Sequence, residues 1–199
     1  MGCVGVNNEN LVRVRLAARR NADHRKYKVL MNVSGDYCEL AILPRELRAV
    51  AKQLASSLQI STQPDFILGL APGGIPITVA LGYELEIPTV IAYKCRLDIP
   101  SEITWVEPHC VNSTFYLYGA TAGMSVLLLD DEVDSGHTLC NAVQSLERHG
   151  IQIVDVGCVV EILHCGRSIG RDRLRELGLS LKSMYRMEVE NVESKKYIS

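Results

Sequence analysis

The chain contains 199 residues, of which 47% are hydrophobic and 22% are charged, and its formal net charge at pH 7 is −2. This length and apolar content fit one domain with a hydrophobic core. The near-neutral charge gives no electrostatic case for a nucleic-acid partner or an anionic membrane surface. No apolar run approaches the ~20 residues that span a bilayer, and no apolar block follows a basic start, so we expect neither a membrane span nor a secretory signal.

Cysteine usage bears on the compartment. The seven cysteines are Cys3, Cys38, Cys95, Cys110, Cys140, Cys158 and Cys165. Their number is odd, and they show neither CxxC pairs nor the ligand spacing of zinc sites. Thiols scattered through apolar segments are typical of reduced, buried cysteines, so the pattern predicts a cytoplasmic protein.

The first predicted elements are short. Residues 1–26 are polar and basic with weak periodicity, and we interpret them as an N-terminal arm. Strands are predicted at Tyr27–Val33 and Tyr37–Ile42, around a Ser-Gly-Asp turn at residues 34–36. A helix with one apolar face follows at Pro44–Leu58, and Pro44 suits its first turn.

From residue 66 onward, apolar strands alternate with helices. The predicted strands are Phe66–Leu70, Thr89–Tyr93, Met124–Leu129 and Val154–Val160, with Leu181–Met187 as an edge strand; the helices are Ile75–Leu85, Thr138–His149 and Arg171–Leu177. This alternation predicts an α/β fold with a mostly parallel sheet covered by helices on both faces. Ligands of such sheets bind beyond the carboxyl ends of the strands. That rule selects two turns, at residues 71–74 and 130–138.

One segment, about residues 95–120, interrupts the alternation. It carries two prolines, the single tryptophan and a strand-like stretch at Thr114–Tyr118. Excursions of this length are usually functional, so the segment is either a hood that closes over a site or a β-hairpin that covers the sheet edge. We expect residues 27–199 to form a single domain with this hood as an insertion.

The second selected turn has the composition of a phosphate site. A buried strand leads into Asp130 and Asp131, and residues 134–138 then open a helix with small and hydroxyl side chains around Gly136. Backbone N–H groups at a helix N-terminus bind phosphate, and glycine permits close approach. The two acids could accept hydrogen bonds from a ribose diol or hold Mg²⁺. The alternative is a solvated strand end with Asp134 or Ser135 as the helix N-cap.

The whole string, from the apolar run through the acid pair to Gly136-His137-Thr138, resembles the phosphoribosyl pyrophosphate (PRPP) signature of type I phosphoribosyltransferases. The likeness extends over about residues 27–187. The layout is most similar to the adenine and xanthine phosphoribosyltransferases and the related purine-operon repressor. Segments 157–162 and 170–178 resemble the last strand and following helix of the xanthine enzyme.

The resemblance assigns roles to individual residues. Asp130 and Asp131 would hold the ribose hydroxyls and Mg²⁺. The loop that would wrap the 5′-phosphate consists of Asp134, Ser135, Gly136, His137 and Thr138. The pyrophosphate site would consist of Ala71, Pro72, Gly73, Gly74 and the basic residue Lys94. Asp134 also matches a proposed general base of hypoxanthine–guanine enzymes, and this role and a helix-capping role stay open with equal weight.

Two departures from the family pattern concern charge. Pro72 stands where the pyrophosphate loop often carries an arginine, so Lys94 and Arg96 would have to supply more of the charge. Ile162 stands where the xanthine enzyme has a lysine that reads a purine carbonyl, and Arg167 is a candidate replacement. The acceptor pocket is therefore expected to differ from that of 6-oxopurine enzymes.

The activity implied by the resemblance is transfer of the 5-phosphoribosyl group from PRPP to a nitrogenous base of purine type, with release of pyrophosphate and with Mg²⁺ as cofactor. The implied context is purine salvage by a homodimer. Orotate or a specialised acceptor is an alternative, and so is a PRPP-sensing regulator without catalysis. Only 26 residues precede the first core strand, which we judge too few for a separate DNA-binding domain.

Overall fold

Four helices and nine strands occur in the computed structural model, which describes residues 12, 14–18, 27–34, 41–107 and 113–189. In chain order they are β1 (Val14–Ala18), β2 (Tyr27–Met31), α1 (Pro44–Ser57), β3 (Phe66–Leu70), α2 (Ile75–Leu85), β4 (Thr89–Ala92), β5 (Ile103–Val106), β6 (Thr114–Leu117), β7 (Ser125–Val133), α3 (His137–Arg148), β8 (Gln152–Leu163), α4 (Ile169–Glu176) and β9 (Leu181–Glu188). None of these helices is long and apolar enough to cross a membrane.

The central sheet has the strand order β4-β3-β7-β8-β9, and every neighbouring pair is parallel. Alternate side chains of a strand point to opposite faces, so β7 contributes Val126 and Leu128 to one core and Leu127 and Leu129 to the other. The first core contains α3 and the hood, whereas the second contains α1 and α2. The predicted parallel sheet with helices on both faces is confirmed, and β9 lies at its edge as predicted.

The strand that carries the acid pair is longer than predicted. β7 continues to Val133, because Asp130 pairs with Cys158 and Val133 pairs with Glu161 in the ladder with β8. The acid pair therefore lies within a strand instead of in the turn that follows one. The apolar run ends at Leu129, but the backbone pairing of β7 with β8 continues to Val133.

The N-terminal part forms a separate two-stranded sheet in which β1 and β2 are antiparallel. The predicted boundary of the arm at residue 26 falls between these two strands. The strand predicted at Tyr27–Val33 ends at Met31. Residues 35–40, which include most of the predicted turn and most of the strand Tyr37–Ile42, lie outside the described residues, and residues 41–43 are not in a strand.

The hood contains an antiparallel hairpin of β5 and β6. Trp105 and Phe115 are buried in it and stack with ring centroids 5.5 Å apart. The hairpin is fastened to α3, since Ser145 Oγ donates to the Thr104 carbonyl at 2.8 Å and Asn141 Nδ2 donates to the Val106 carbonyl at 2.8 Å. The structure thus shows the hairpin alternative, and closure over a ligand stays a prediction.

Four cysteines lie in the described part of the chain, and all four are free thiols: Cys95, Cys140, Cys158 and Cys165. Burial raises the pKa of Cys158 well above its usual value, and the nearby Glu161 carboxylate raises it further. Cys158 is therefore held as an inert core thiol. Cys3, Cys38 and Cys110 fall outside the described residues.

Candidate active site

The two turns selected from the sequence meet at the carboxyl edge of the sheet. A Cβ atom on Gly73 would lie 2.3 Å from Asp131 Oδ2, and one on Gly74 would lie 2.7 Å from the Leu70 carbonyl oxygen. Only glycine therefore fits at these positions as the backbone stands. Ala71, Gly73 and Gly74 are buried, Pro72 is exposed, and the Ala71–Pro72 peptide is cis. The predicted pyrophosphate loop rests directly on the acid pair.

Asp131 is more enclosed than the sequence suggested. Its exposed fraction is 4%, and Ser34 Oγ donates a 2.8 Å hydrogen bond to its Oδ2 atom from 97 positions away in the chain. The Ser34 hydroxyl thus already donates to this carboxylate, and the hydroxyls of a ribose diol are donors of the same type. Sequence reasoning missed Ser34, because its contact with Asp131 depends on tertiary packing.

Asp130 is half-buried on the same strand, and the Asp131 amide donates to its Oδ1 atom at 3.0 Å. Burial raises the pKa of Asp130 well above its usual value, and the neighbouring Asp131 charge raises it further. Two adjacent acids with little solvent between them repel each other. This pair is suited to a cationic or hydroxyl-bearing ligand.

Asp130→Asn should therefore stabilise the ligand-free protein. The pKa of Asp130 is higher in the folded state than in the unfolded state, so the free energy of unfolding falls as the pH rises through the folded-state pKa. Asparagine does not ionise, so the variant does not lose this stability. We expect a higher free energy of unfolding in urea at neutral pH without divalent ions. Asp65→Asn is the control, because hydrogen bonds from Ser125 lower the pKa of Asp65 and its replacement should not stabilise. An unchanged or lower stability of Asp130→Asn would contradict the raised pKa.

The predicted phosphate loop turns sharply into α3. Gly136 has φ +76° and occupies the N-cap position, and His137 and Thr138 begin the helix. A residue without a side chain at this point leaves the first helical amides accessible to an anion. Asp134 and Ser135 precede the cap, so neither is the N-cap residue that the alternative interpretation required.

The start of α4 supports this loop from behind. The Gly170 amide donates to the Asp134 carbonyl at 3.0 Å, and a Cβ atom on Gly136 would lie 2.6 Å from Gly170 Cα. Arg173 of α4 donates through Nη1 to the Ser135 carbonyl at 2.6 Å and lies 3.1 Å from His137 Nδ1. A guanidinium group can only donate, so it fixes His137 Nδ1 as an acceptor. Arg173 brings positive charge to the loop, and sequence reasoning missed it.

Asp134 has a partner that the sequence did not reveal. Its Oδ1 atom lies 2.7 Å from Nε2 of His164, which follows β8. Sequence reasoning missed this contact, because the two residues are 30 positions apart. In the described residues, no cluster of three or more His, Cys, Asp or Glu side chains could hold a metal ion.

A buried charge cluster anchors α4 to the sheet. Glu161 is fully buried and accepts from Arg171 Nε at 2.6 Å and from Arg171 Nη2 at 2.5 Å, and it also accepts from Ser183 and Arg186. Burial alone would raise the pKa of Glu161, but the hydrogen bonds from Arg171, Ser183 and Ser168 outweigh it and lower this pKa to about 2. The cluster therefore fixes the helix that supports the phosphate loop.

The three cations proposed for the ligand site all have acidic partners in this structure. Lys94 forms an ion pair with Glu107 of the hood, and its Nζ atom lies 5.0 Å from the ring centroid of Phe115. Arg96 pairs with Glu102, also in the hood, and Arg167 pairs with Asp172 in the first turn of α4; the shorter distance is 2.7 Å in both pairs. The structure thus joins the segments at residues 71–74 and 130–138 and pairs each of these cations with an acid. Binding of pyrophosphate by Lys94 stays a prediction.

A family model described as the phosphoribosyl transferase domain matches residues 37–193. The chain belongs to the phosphoribosyltransferase family. The resemblance noted in the sequence is confirmed.

Among curated relatives, the chain is 33% identical over 128 residues to a hypoxanthine/guanine phosphoribosyltransferase of Methanosalsum zhilinae, covering 64% of this chain and 65% of that one. It is 34% identical over 127 residues to the protein of the same name from Methanothrix soehngenii, covering 63% and 65%. The matched part thus spans 65% of the length of these phosphoribosyltransferases.

Solved structures share the fold. The adenine phosphoribosyltransferase of Giardia lamblia complexed with 9-deazaadenine has a TM-score of 0.66 at 19% identity, covering 87% of this chain and 93% of that one. The adenine phosphoribosyltransferase of Trypanosoma brucei, in complex with AMP, pyrophosphate and ribose-5-phosphate, has a TM-score of 0.66 at 16% identity, covering 87% and 76%. At these identities the likeness concerns the fold alone.

Proposed function

We propose that the protein transfers the 5-phosphoribosyl group of PRPP to a ring nitrogen of a purine-type base and releases pyrophosphate. The observation that carries this proposal is the junction of an acid pair, a glycine turn and a helix-opening anion loop at one edge of the sheet. The ligand that matches it bears a diol, a pyrophosphate and a terminal phosphate. The names of the curated relatives support a purine-type acceptor.

Each part of the site then has a task. Amides and hydroxyls of residues 135–138 bind the 5′-phosphate, supported by the dipole of α3. The turn at residues 71–74 receives the pyrophosphate, and Lys94 reaches it after leaving Glu107. Asp130 and Asp131 orient the ribose through its hydroxyls. Holding the sugar in line with the acceptor converts the encounter into an intramolecular displacement at C1.

The acid pair also fits a magnesium ion. Mg²⁺ is bound by one or two carboxylates together with waters and substrate phosphates, and Asp130 and Asp131 are two adjacent carboxyl groups beside the glycine turn. Asp130 and Asp131 would hold it. When bound, the ion supplies positive charge to the departing pyrophosphate.

Asp134 is the residue we assign to acid–base work. It lies next to the phosphate loop, and it is outside the N-cap position that would have given it a purely structural task. As the acceptor nitrogen bonds to C1 and pyrophosphate leaves with the electron pair of the C1–O bond, the proton of that nitrogen passes to the Asp134 carboxylate.

The proposed activity is tested by PRPP consumption with Mg²⁺ against a panel of purines, orotate and simple carboxylates. Binding alone should raise the stability by ~2.7 kcal/mol at a hundredfold excess of PRPP over its dissociation constant, measured by thermal unfolding. Absence of that shift at millimolar PRPP and Mg²⁺ would contradict the site. A shift without turnover for any acceptor would indicate a PRPP-sensing regulator.

A different acceptor is a second candidate, since one observation favours it. Ile162 occupies the position of the purine-reading lysine and is fully buried, and Arg167, the suggested replacement, pairs with Asp172 on the surface. Among the described residues, the position of the purine-reading lysine is thus occupied by an apolar side chain that cannot donate to a purine carbonyl. Preferential turnover of orotate or a carboxylate in the same panel would establish this alternative.

Assembly and location stay proposals. We infer a homodimer, supported by α2, on which Val79 and Tyr83 are one turn apart and 52% and 84% exposed. Light scattering after size-exclusion chromatography measures the assembly. The four cysteines of the described residues are free thiols, which supports the predicted cytoplasmic location; fractionation of cells tests it.

A further inference from the structure

The contact between Asp134 and His164 joins two segments that are 30 positions apart. His164 Nε2 lies 2.7 Å from Asp134 Oδ1, and the two side chains are 35% and 20% exposed. The two side chains are therefore partly exposed to solvent at the edge of the sheet. This is the edge where the acid pair and the phosphate loop lie.

The backbone on both sides of the contact is fixed. His164 and Arg167 exchange two backbone hydrogen bonds of 2.9 and 3.1 Å, and Cys165 and Gly166 between them have φ of 52° and 74°. Positive φ at both central residues is typical of a type I′ turn, which is the tight turn of hairpins. The Gly166 amide donates to the Glu188 carboxylate of β9. The turn thus presents His164 in a defined place.

The chemistry of the contact is directional. An ionised carboxylate only accepts hydrogen bonds, so the imidazole donates through Nε2 to Asp134. The hydrogen bond restricts the rotation of the Asp134 carboxylate. In hydrolases with an Asp–His pair, such a bond orients one partner for proton transfer by the other.

We propose that His164 is a positioning residue that holds the Asp134 carboxylate in the orientation that accepts the proton of the acceptor's ring nitrogen. This role rests on the proposed function. The proton moves from the acceptor nitrogen to Asp134, while the Nε2 proton of His164 stays on the imidazole. His164 thus acts through Asp134 and not on the substrate.

The test compares His164→Leu with His164→Gln, whose side-chain amide can still donate to Asp134. A hydrogen bond to a charged group corresponds to roughly ten- to a hundredfold in rate, so His164→Leu should lower kcat by that factor. KM for PRPP should change by less than about threefold. His164→Gln should recover most of the rate. Cys165→Ser, in the same turn, is the matched control and should keep the wild-type kcat.

A double-mutant cycle with Asp134→Asn separates positioning from a structural effect. Adding His164→Leu to Asp134→Asn should cause no further loss of kcat, because the group through which His164 acts is gone. A wild-type kcat in His164→Leu, an equal loss in His164→Gln, or additive losses in the cycle would overturn the inference. Absence of turnover by the wild-type protein would instead contradict the proposed function and remove this inference with it.

Discussion

Asp134→Asn should lower turnover by about 10²–10⁴-fold while PRPP affinity changes by less than about threefold. Asparagine keeps the size of the side chain and can still accept a hydrogen bond from His164, but it cannot take a proton from the acceptor. The measurement is a single-turnover rate at saturating PRPP, together with a dissociation constant for PRPP.

The matched variant is Asp131→Asn, which should show the opposite pattern. Asp131 is assigned to the ribose hydroxyls and already accepts from Ser34, so its replacement should weaken PRPP binding by roughly ten- to a hundredfold. Intact turnover in Asp134→Asn would show that proton transfer lies elsewhere. Wild-type PRPP affinity in Asp131→Asn would show that this residue serves only to hold the glycine turn.

The second large effect concerns Glu161. Replacing it with leucine should lower the free energy of unfolding by about 3–5 kcal/mol, because the Arg171 guanidinium would stay largely buried without its partner. Urea unfolding measures this loss. Arg186→Leu is the control: Arg186 also contacts Glu161 but is 59% exposed, so its loss should cost less than about 1 kcal/mol. Equal losses in the two variants would contradict an anchoring role for Arg171.

The same residue gives a pH dependence. The folded-state pKa of Glu161, about 2, lies below its ordinary value of 4.5. Its contribution to stability is therefore complete above pH 4.5 and is lost as the pH falls towards 2. Acid unfolding curves of the wild type and of Glu161→Gln should converge across this window. Parallel curves would show that other carboxylates dominate acid unfolding.

The elements predicted best from the sequence are those whose ends coincide with a change from apolar residues to proline, glycine or charged residues. The bounds of β3 and α2 were predicted to the residue. Pro64 and Asp65 precede β3, and glycines separate β3 from α2. β7 and β8 were predicted too short, because hydrogen bonding between the two strands extends beyond their apolar runs. Strand pairing is a property of two segments and cannot be read from either one alone.

The candidate site follows the same rule. The segment at residues 130–138 was found because its groups are contiguous in the chain. Ser34, His164 and Arg173 were missed, since each reaches the loop through folding from 97, 30 or 38 positions away. Lys94 was assigned to the pyrophosphate by resemblance, and this role stays a prediction; the structure adds its ion pair with Glu107. Long-range contacts of single polar side chains leave no periodic pattern in a sequence.

The contact between Gly136 and Gly170 links mutational tolerance at two distant positions. A methyl group on Gly136 would lie 2.6 Å from Gly170 Cα, and one on Gly170 would lie 2.5 Å from Val133 Cγ1 and 2.8 Å from the Asp134 carbonyl oxygen. In Gly136→Ala or Gly170→Ala, α4 would therefore have to move away from the loop, or the loop away from α3. Any variant in which the segment after β8 is replaced must therefore retain this glycine pair, or the replacement will alter the anion loop as well.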